Sequence, residues 1–176
     1  MGEILIEKEL EFDFRDALNA IQFDGYDHKM SHCMKAVDFL VEWDDEFWFV
    51  EVKDPSASTI PNQLRGRELT SFINKMKDKT LFSRELGPKL KDSFLYCHLQ
   101  NNLPNKSLKY FVILAIDPLD HALLAHSIDQ LRRYTCFLGP DNSAWPNRYI
   151  EAVAIFNQET WNKNLGHCPV SRRISY

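Results

Sequence analysis

The sequence predicts an α/β domain in which helices flank a mixed sheet. Three observations carry that expectation: two adjacent aromatic-rich strand-like segments between residues 36 and 53, an isolated apolar run at 109 to 116, and helical spacing before, between and after them. With 176 residues, 44% of them hydrophobic, the chain can bury one sizeable core, so a single domain spanning residues 1 to 176 is expected.

Residues 4 to 8 read as a short strand. From Leu10 to Phe23 the spacing of Leu10, Phe14, Leu18 and Ile21 predicts a first helix, ended by Asp24-Gly25. The segment AVDFLVEWDDEFWFVEVK, residues 36 to 53, is dense in Val, Phe and Trp and broken only at Trp43-Asp44-Asp45-Glu46, so it reads as a hairpin. Pro55 and a Ser/Thr-rich stretch end the second strand. A largely helical region follows from Asn62 to His98, with an interruption expected near Gly87-Pro88. Residues 109 to 116, bounded by Asp117-Pro118, predict a buried strand. Leu123, Leu124, Ile128 and Leu131 place a helix over Asp120 to Tyr134, and Tyr149 to Phe156 is expected as the last strand. No internal repeat divides this order.

No stretch approaches the roughly 18 to 20 uninterrupted apolar residues of a bilayer span, and the opening MGEILIEKELEFDF is acidic where a secretory signal is basic. A cytoplasmic protein without a membrane partner is expected. Cys33, Cys97, Cys136 and Cys168 lie far apart with no C-x-x-C pair, which suggests neither a disulfide framework nor a zinc finger. The net charge of −4 is unevenly spread. Between Pro61 and Lys91 eight Lys or Arg face three acids, a net of +5, which leaves −9 for the rest of the chain. That basic segment is either a solvated helical face or a grip for backbone phosphates.

If the hairpin turn is centred between Asp44 and Asp45, antiparallel partners have numbers summing to 89, and Asp38 faces Glu51. Lys53, two residues along, shares their face. The opposite face is almost wholly apolar and is expected to be core, and Leu40, Phe47 and Phe49 on the polar residues' own face suggest a partly covered pocket. Two carboxylates with Cβ atoms about 5 Å apart repel each other, and Lys53 offsets only one charge. A divalent cation with oxygen ligands is the simplest compensation, and Mg²⁺ or Mn²⁺ suits one or two carboxylates. The plainer alternative is a structural ion pair between Glu51 and Lys53. A one-residue slip in register would separate Asp38 from both.

Val37-Asp38, twelve intervening residues, then Glu51-Val52-Lys53 on the following strand resembles the PD-(D/E)XK nuclease superfamily, with Val37 where the name-giving proline would stand. The resemblance implies a restriction-endonuclease-like αβββαβ core, metal ligation by Asp38, Glu51 and the Val52 carbonyl, and Lys53 as the catalytic lysine. Many members add an acid from the first helix; Glu9, Glu11, Asp13 and Asp16 are available, and no spacing selects one. Gln63, with Arg65 and Arg67, resembles the substrate-phosphate position that some branches carry on the next helix. The implied function is a metal-dependent nuclease acting on DNA, with the dimeric state that many such enzymes adopt. The alternative is a nuclease-like fold without turnover that binds nucleic acid or protein.

Overall fold

The alternating Val, Phe and Trp residues pair as expected. In the computed structural model, which describes residues 1–25, 28–117 and 119–173, β4 (Phe39–Glu42) and β5 (Glu46–Lys53) form an antiparallel hairpin. Phe39 faces Val50, Leu40 faces Phe49 and Val41 faces Trp48, each pair summing to 89. The turn closes with the Trp43 N–H donating to the Glu46 carbonyl at 2.8 Å. Pro118, expected to bound a later strand, lies outside the described residues.

The segment expected as a first helix is instead two strands, and this is the main correction to the sequence reading. Leu10, Phe12 and Phe14 are all fully buried, a two-residue alternation that matches β2 (Leu10–Asp13). Leu10 and Phe14 are also four apart, which imitates a helical stripe, but Leu18 is 51% exposed. β2 pairs antiparallel with β1 (Ile4–Glu7) and with β8 (Val170–Arg172) at the far end of the chain. Lys8, at φ 55°, makes the tight return between β1 and β2. β3 (Asn19–Gln22) joins the edge of the large sheet beside β4.

The helical region contains α1 (Asn62–Lys77), a π-helical turn (Leu81–Leu86) and α2 (Gly87–Leu99). Its break falls at Asp78 to Thr80 rather than at Gly87-Pro88. There Lys79 adopts φ 69°, and the Asp78 carboxylate accepts from the N–H and hydroxyl of Thr80. Pro88 stands where the π-helical turn passes into α2 through continuous right-handed helical backbone at Leu86 and Gly87, and the wider π turn accommodates it. β6 (Ser107–Leu114) and β7 (Ala152–Phe156) run parallel to β5. Between them, α3 (His121–Tyr134) is capped by the Asp120 carboxylate, which accepts from Leu123 N–H. α4 (Gln158–Asn164) and β8 follow the strand expected to be last.

The result is an α/β fold with a mixed five-stranded sheet in the order β3-β4-β5-β6-β7. One face packs Phe49, Tyr110, Val112 and Leu114 against Met76, Phe82, Leu90 and Leu131 of the helices. The other packs Trp48, Val50 and Phe111 against the small β1-β2-β8 sheet and Trp161 of α4. Trp161 is fully buried with ring contacts to Phe12, Trp48, Phe111 and Phe156. No helix among the described residues is long and apolar enough to cross a membrane. All four cysteines are free.

Candidate functional site

Asp38 lies one residue before β4 and is held from three sides. Its carbonyl accepts from Phe23 N–H at 2.7 Å, and its Oδ2 accepts from Val52 N–H at 2.6 Å. The preceding Val37 N–H donates to Ser93 Oγ of α2 at 3.0 Å. These bonds aim Asp38 across the hairpin at the helical face of β5, where Glu51 is fully buried and Lys53 ends the strand. The expected convergence of Asp38, Glu51 and Lys53 is therefore present.

Lys53 Nζ lies 3.0 Å from Glu51 Oε1 and 3.2 Å from Glu85 Oε2. A second ammonium enters from α2: Lys89 Nζ is 2.7 Å from Glu51 Oε1 and 3.4 Å from Asp38 Oδ1, so it bridges the two carboxylates. Glu51 Oε2 is buried and has no hydrogen-bond partner among the described residues. On the other side of Asp38, carboxylate oxygens of Glu7, at the end of β1, and Asp24, just after β3, come within 4.8 Å of its own and of each other.

Glu7, Asp24, Asp38 and Glu51 thus crowd around Lys89 and Lys53, and Lys53 also pairs with Glu85, which Lys75 meets from the other side. The protonation equilibria express that crowding. Burial, reinforced by Asp38, pushes the Glu51 carboxyl up to about 7. Burial, with Asp38 and Asp24 adding to it, pushes Glu7 up to about 7. Asp38 is also raised, chiefly by burial, although Lys89 and the Val52 N–H pull the other way. Burial opposes charge on both lysines but is outweighed by Glu51, which raises Lys53, and by Glu51 with Asp38, which raise Lys89. Both remain ammonium ions at neutral pH.

No protein-family model, curated protein or solved structure matches the chain.

The acids expected from a first helix are elsewhere. Glu9 binds Arg172 and Ser58, Glu11 faces Arg173 at 3.7 Å, Asp13 pairs with Arg15, and Asp16 is exposed. The acid that reaches Asp38 is Glu7, at the end of the strand expected over residues 4 to 8. A cleft of about 170 Å³ opens over Lys53, with Lys8, Glu68, Ser71, Phe72 and Lys75 among its walls. Gln63, Arg65 and Arg67 do not line it. Gln63 is exposed on the first turn of α1, Arg65 donates to the carbonyls of Ser58 and Ile60, and Arg67 lies in a shallow depression with Asn74 and Lys75.

The donor set suits a hard divalent cation. All its available ligands are oxygens, and Glu51 presents a buried oxygen without a partner among the described residues. The carboxylates of Glu7, Asp24 and Asp38 lie close enough together to share an ion, and Glu51 adjoins them across Lys89. Glu51 belongs to both readings, since its Oε1 already forms the ion pairs and its Oε2 is the orphan.

Proposed function

We propose that this protein is a divalent-metal-dependent phosphodiester hydrolase acting on DNA, with Asp38 and Glu51 holding Mg²⁺ or Mn²⁺ and Lys53 acting beside them. One observation carries the reading: Glu51 is fully buried, and its Oε2 has no hydrogen-bond partner among the described residues although Oε1 meets two ammonium groups. A buried polar atom left without a partner is costly, and a cation bound there would remove that cost. The PD-(D/E)XK resemblance supports the same reading in part: an antiparallel β3-β4-β5 unit leads through helices into the parallel strand β6, but strands stand where the leading helix of the αβββαβ core is expected. In the same pattern the Val52 carbonyl would be a further ligand. Glu7 from β1 takes the part of the acid that a first helix supplies elsewhere.

A bound divalent cation would polarise the scissile phosphoryl group and acidify an attacking water. The chain's own residues do the rest. Lys53, kept charged by Glu51, orients that water and offsets charge developing on the phosphoryl oxygens, while the water, acidified by the cation, would give its proton to solvent. Glu85 fixes the Lys53 ammonium from the far side at 3.2 Å. Lys8 and Lys75 stand in the walls of the cleft among Asp54, Glu68 and Glu85, and Lys8 is the cation there that could meet a flanking phosphate, since Lys75 pairs with Glu85 at 3.1 Å. Gln63, Arg65 and Arg67 would act further along the backbone of a bound strand.

A second reading has its own observation. Lys89 already bridges Asp38 and Glu51, so the same residues suit a nuclease-like module that binds nucleic acid or protein without cutting. The test is incubation with plasmid, linear and branched DNA, with Mg²⁺ or Mn²⁺ and with chelator, beside Lys53→Ala and Asp38→Asn. Cleavage that needs metal and disappears in both variants is the expected result. Binding without cleavage, unaltered by Lys53→Ala, would establish the module instead.

A further inference from the structure

The position of Lys89 has a consequence for how a cation could enter. Its Nζ contacts the two oxygens, Asp38 Oδ1 and Glu51 Oε1, that face each other across the hairpin. An ion bound to both carboxylates would sit about 2.0 to 2.1 Å from an oxygen of each if it were Mg²⁺, and even when held through the free Glu51 Oε2 it would lie against the ammonium that contacts the same two groups. A charge of +2 beside +1 is repulsive at any distance of this order.

We infer that Lys89 is an internal cation that occupies the metal position between Asp38 and Glu51, and that metal binding displaces its side chain. The inference rests on the proposed metal site and adds a competitor to it. The displacement is confined to the side chain because the backbone of α2 is pinned. Ser93 receives the Val37 N–H at 3.0 Å, and Asp92 receives the Lys35 N–H at 2.8 Å. At its start, a Cβ on Gly87 would meet the Tyr134 carbonyl at 2.6 Å, so the helix cannot slide toward α3. The Lys89 side chain itself is 20% exposed, which leaves its four-carbon stem a route outward. Asp24, exposed beside the site, is a further carboxylate whose charge acts on the ammonium. The device keeps the acids paired when metal is scarce and makes occupancy a competition between Lys89 and the ion.

Two readouts test this, neither of which is turnover. Mn²⁺ binding is titrated at neutral pH for wild type and Lys89→Met; removing the competitor is expected to tighten binding on the order of tenfold or more. In wild type, acetylation of lysines followed by mass spectrometry is expected to show Lys89 protected in chelator and reactive at saturating Mn²⁺. If wild type binds Mn²⁺ but Lys89→Met binds it no more tightly, or Lys89 reactivity does not change, the displacement is wrong while the metal site stands. If neither protein binds Mn²⁺, the metal site falls and this inference with it. Should Lys89→Met not fold, the labelling of wild type alone decides.

Discussion

Replacing Glu51 by Gln in metal-free protein probes the crowding of carboxylates through stability. The Glu51 carboxyl is fully buried and is raised from its ordinary 4.5 to about 7. Below pH 4.5 both folded and unfolded chains hold this proton. As pH rises toward 7 the unfolded chain releases it first, so the folded state loses stability across that window. One pH unit between the two values is worth about 1.4 kcal/mol, so the loss is on the order of 3 kcal/mol. Gln cannot ionise and removes this contribution. His28, whose imidazole is held below its ordinary value by burial, contributes the opposite slope, but it does so in both proteins and cancels in their difference. Urea denaturation in chelator, at several pH values between about 4.5 and 8, measures that difference. Wild-type stability is expected to fall relative to Glu51→Gln by this amount as pH rises, and saturating Mn²⁺ is expected to restore it. A difference that stays flat with pH, or grows in favour of wild type, would refute the account of the site's electrostatics.

Three substitutions test the framework. Trp161→Ala empties the centre of the aromatic cluster formed with Phe12, Trp48, Phe111 and Phe156, and is expected to cost about 3 to 5 kcal/mol in a urea titration. Gly87→Ala forces a Cβ against the Tyr134 carbonyl at 2.6 Å and is expected to cost about 1 to 3 kcal/mol and to lower the melting temperature. Arg172→Ala strands the buried Asp54 and Glu9 carboxylates, which lie 2.8 and 2.9 Å from its guanidinium; with Arg172 one-third exposed, a loss of about 1 to 3 kcal/mol is expected in a urea titration.

The hairpin was legible in the sequence because its information is local. The Trp43-Asp44-Asp45-Glu46 turn sets the pairing, and alternation of Val, Phe and Trp leaves one register that buries the apolar face. Asp38 against Glu51 followed from that register alone. The strand at Leu10 was not legible, because Leu10 and Phe14 satisfy helical and extended spacing equally and the partner that decides between them, Val170, lies at the other end of the chain. Glu7 and Asp24 were missed for the same reason: they reach Asp38 only once β1 and β3 are placed. Lys89 was visible as one of eight basic residues in its segment. Its role depends on how α2 docks, which Gly87 against Tyr134 and Ser93 against Val37 settle in three dimensions.

The most direct measurement of the central claim is a crystal soaked in MnCl₂ and recorded at the manganese edge. An anomalous peak bonded to Asp38 and Glu51 oxygens at about 2.2 Å, with the Lys89 ammonium moved away, is the predicted result. Lys89 still bridging the two carboxylates, with no peak in the site, would contradict it.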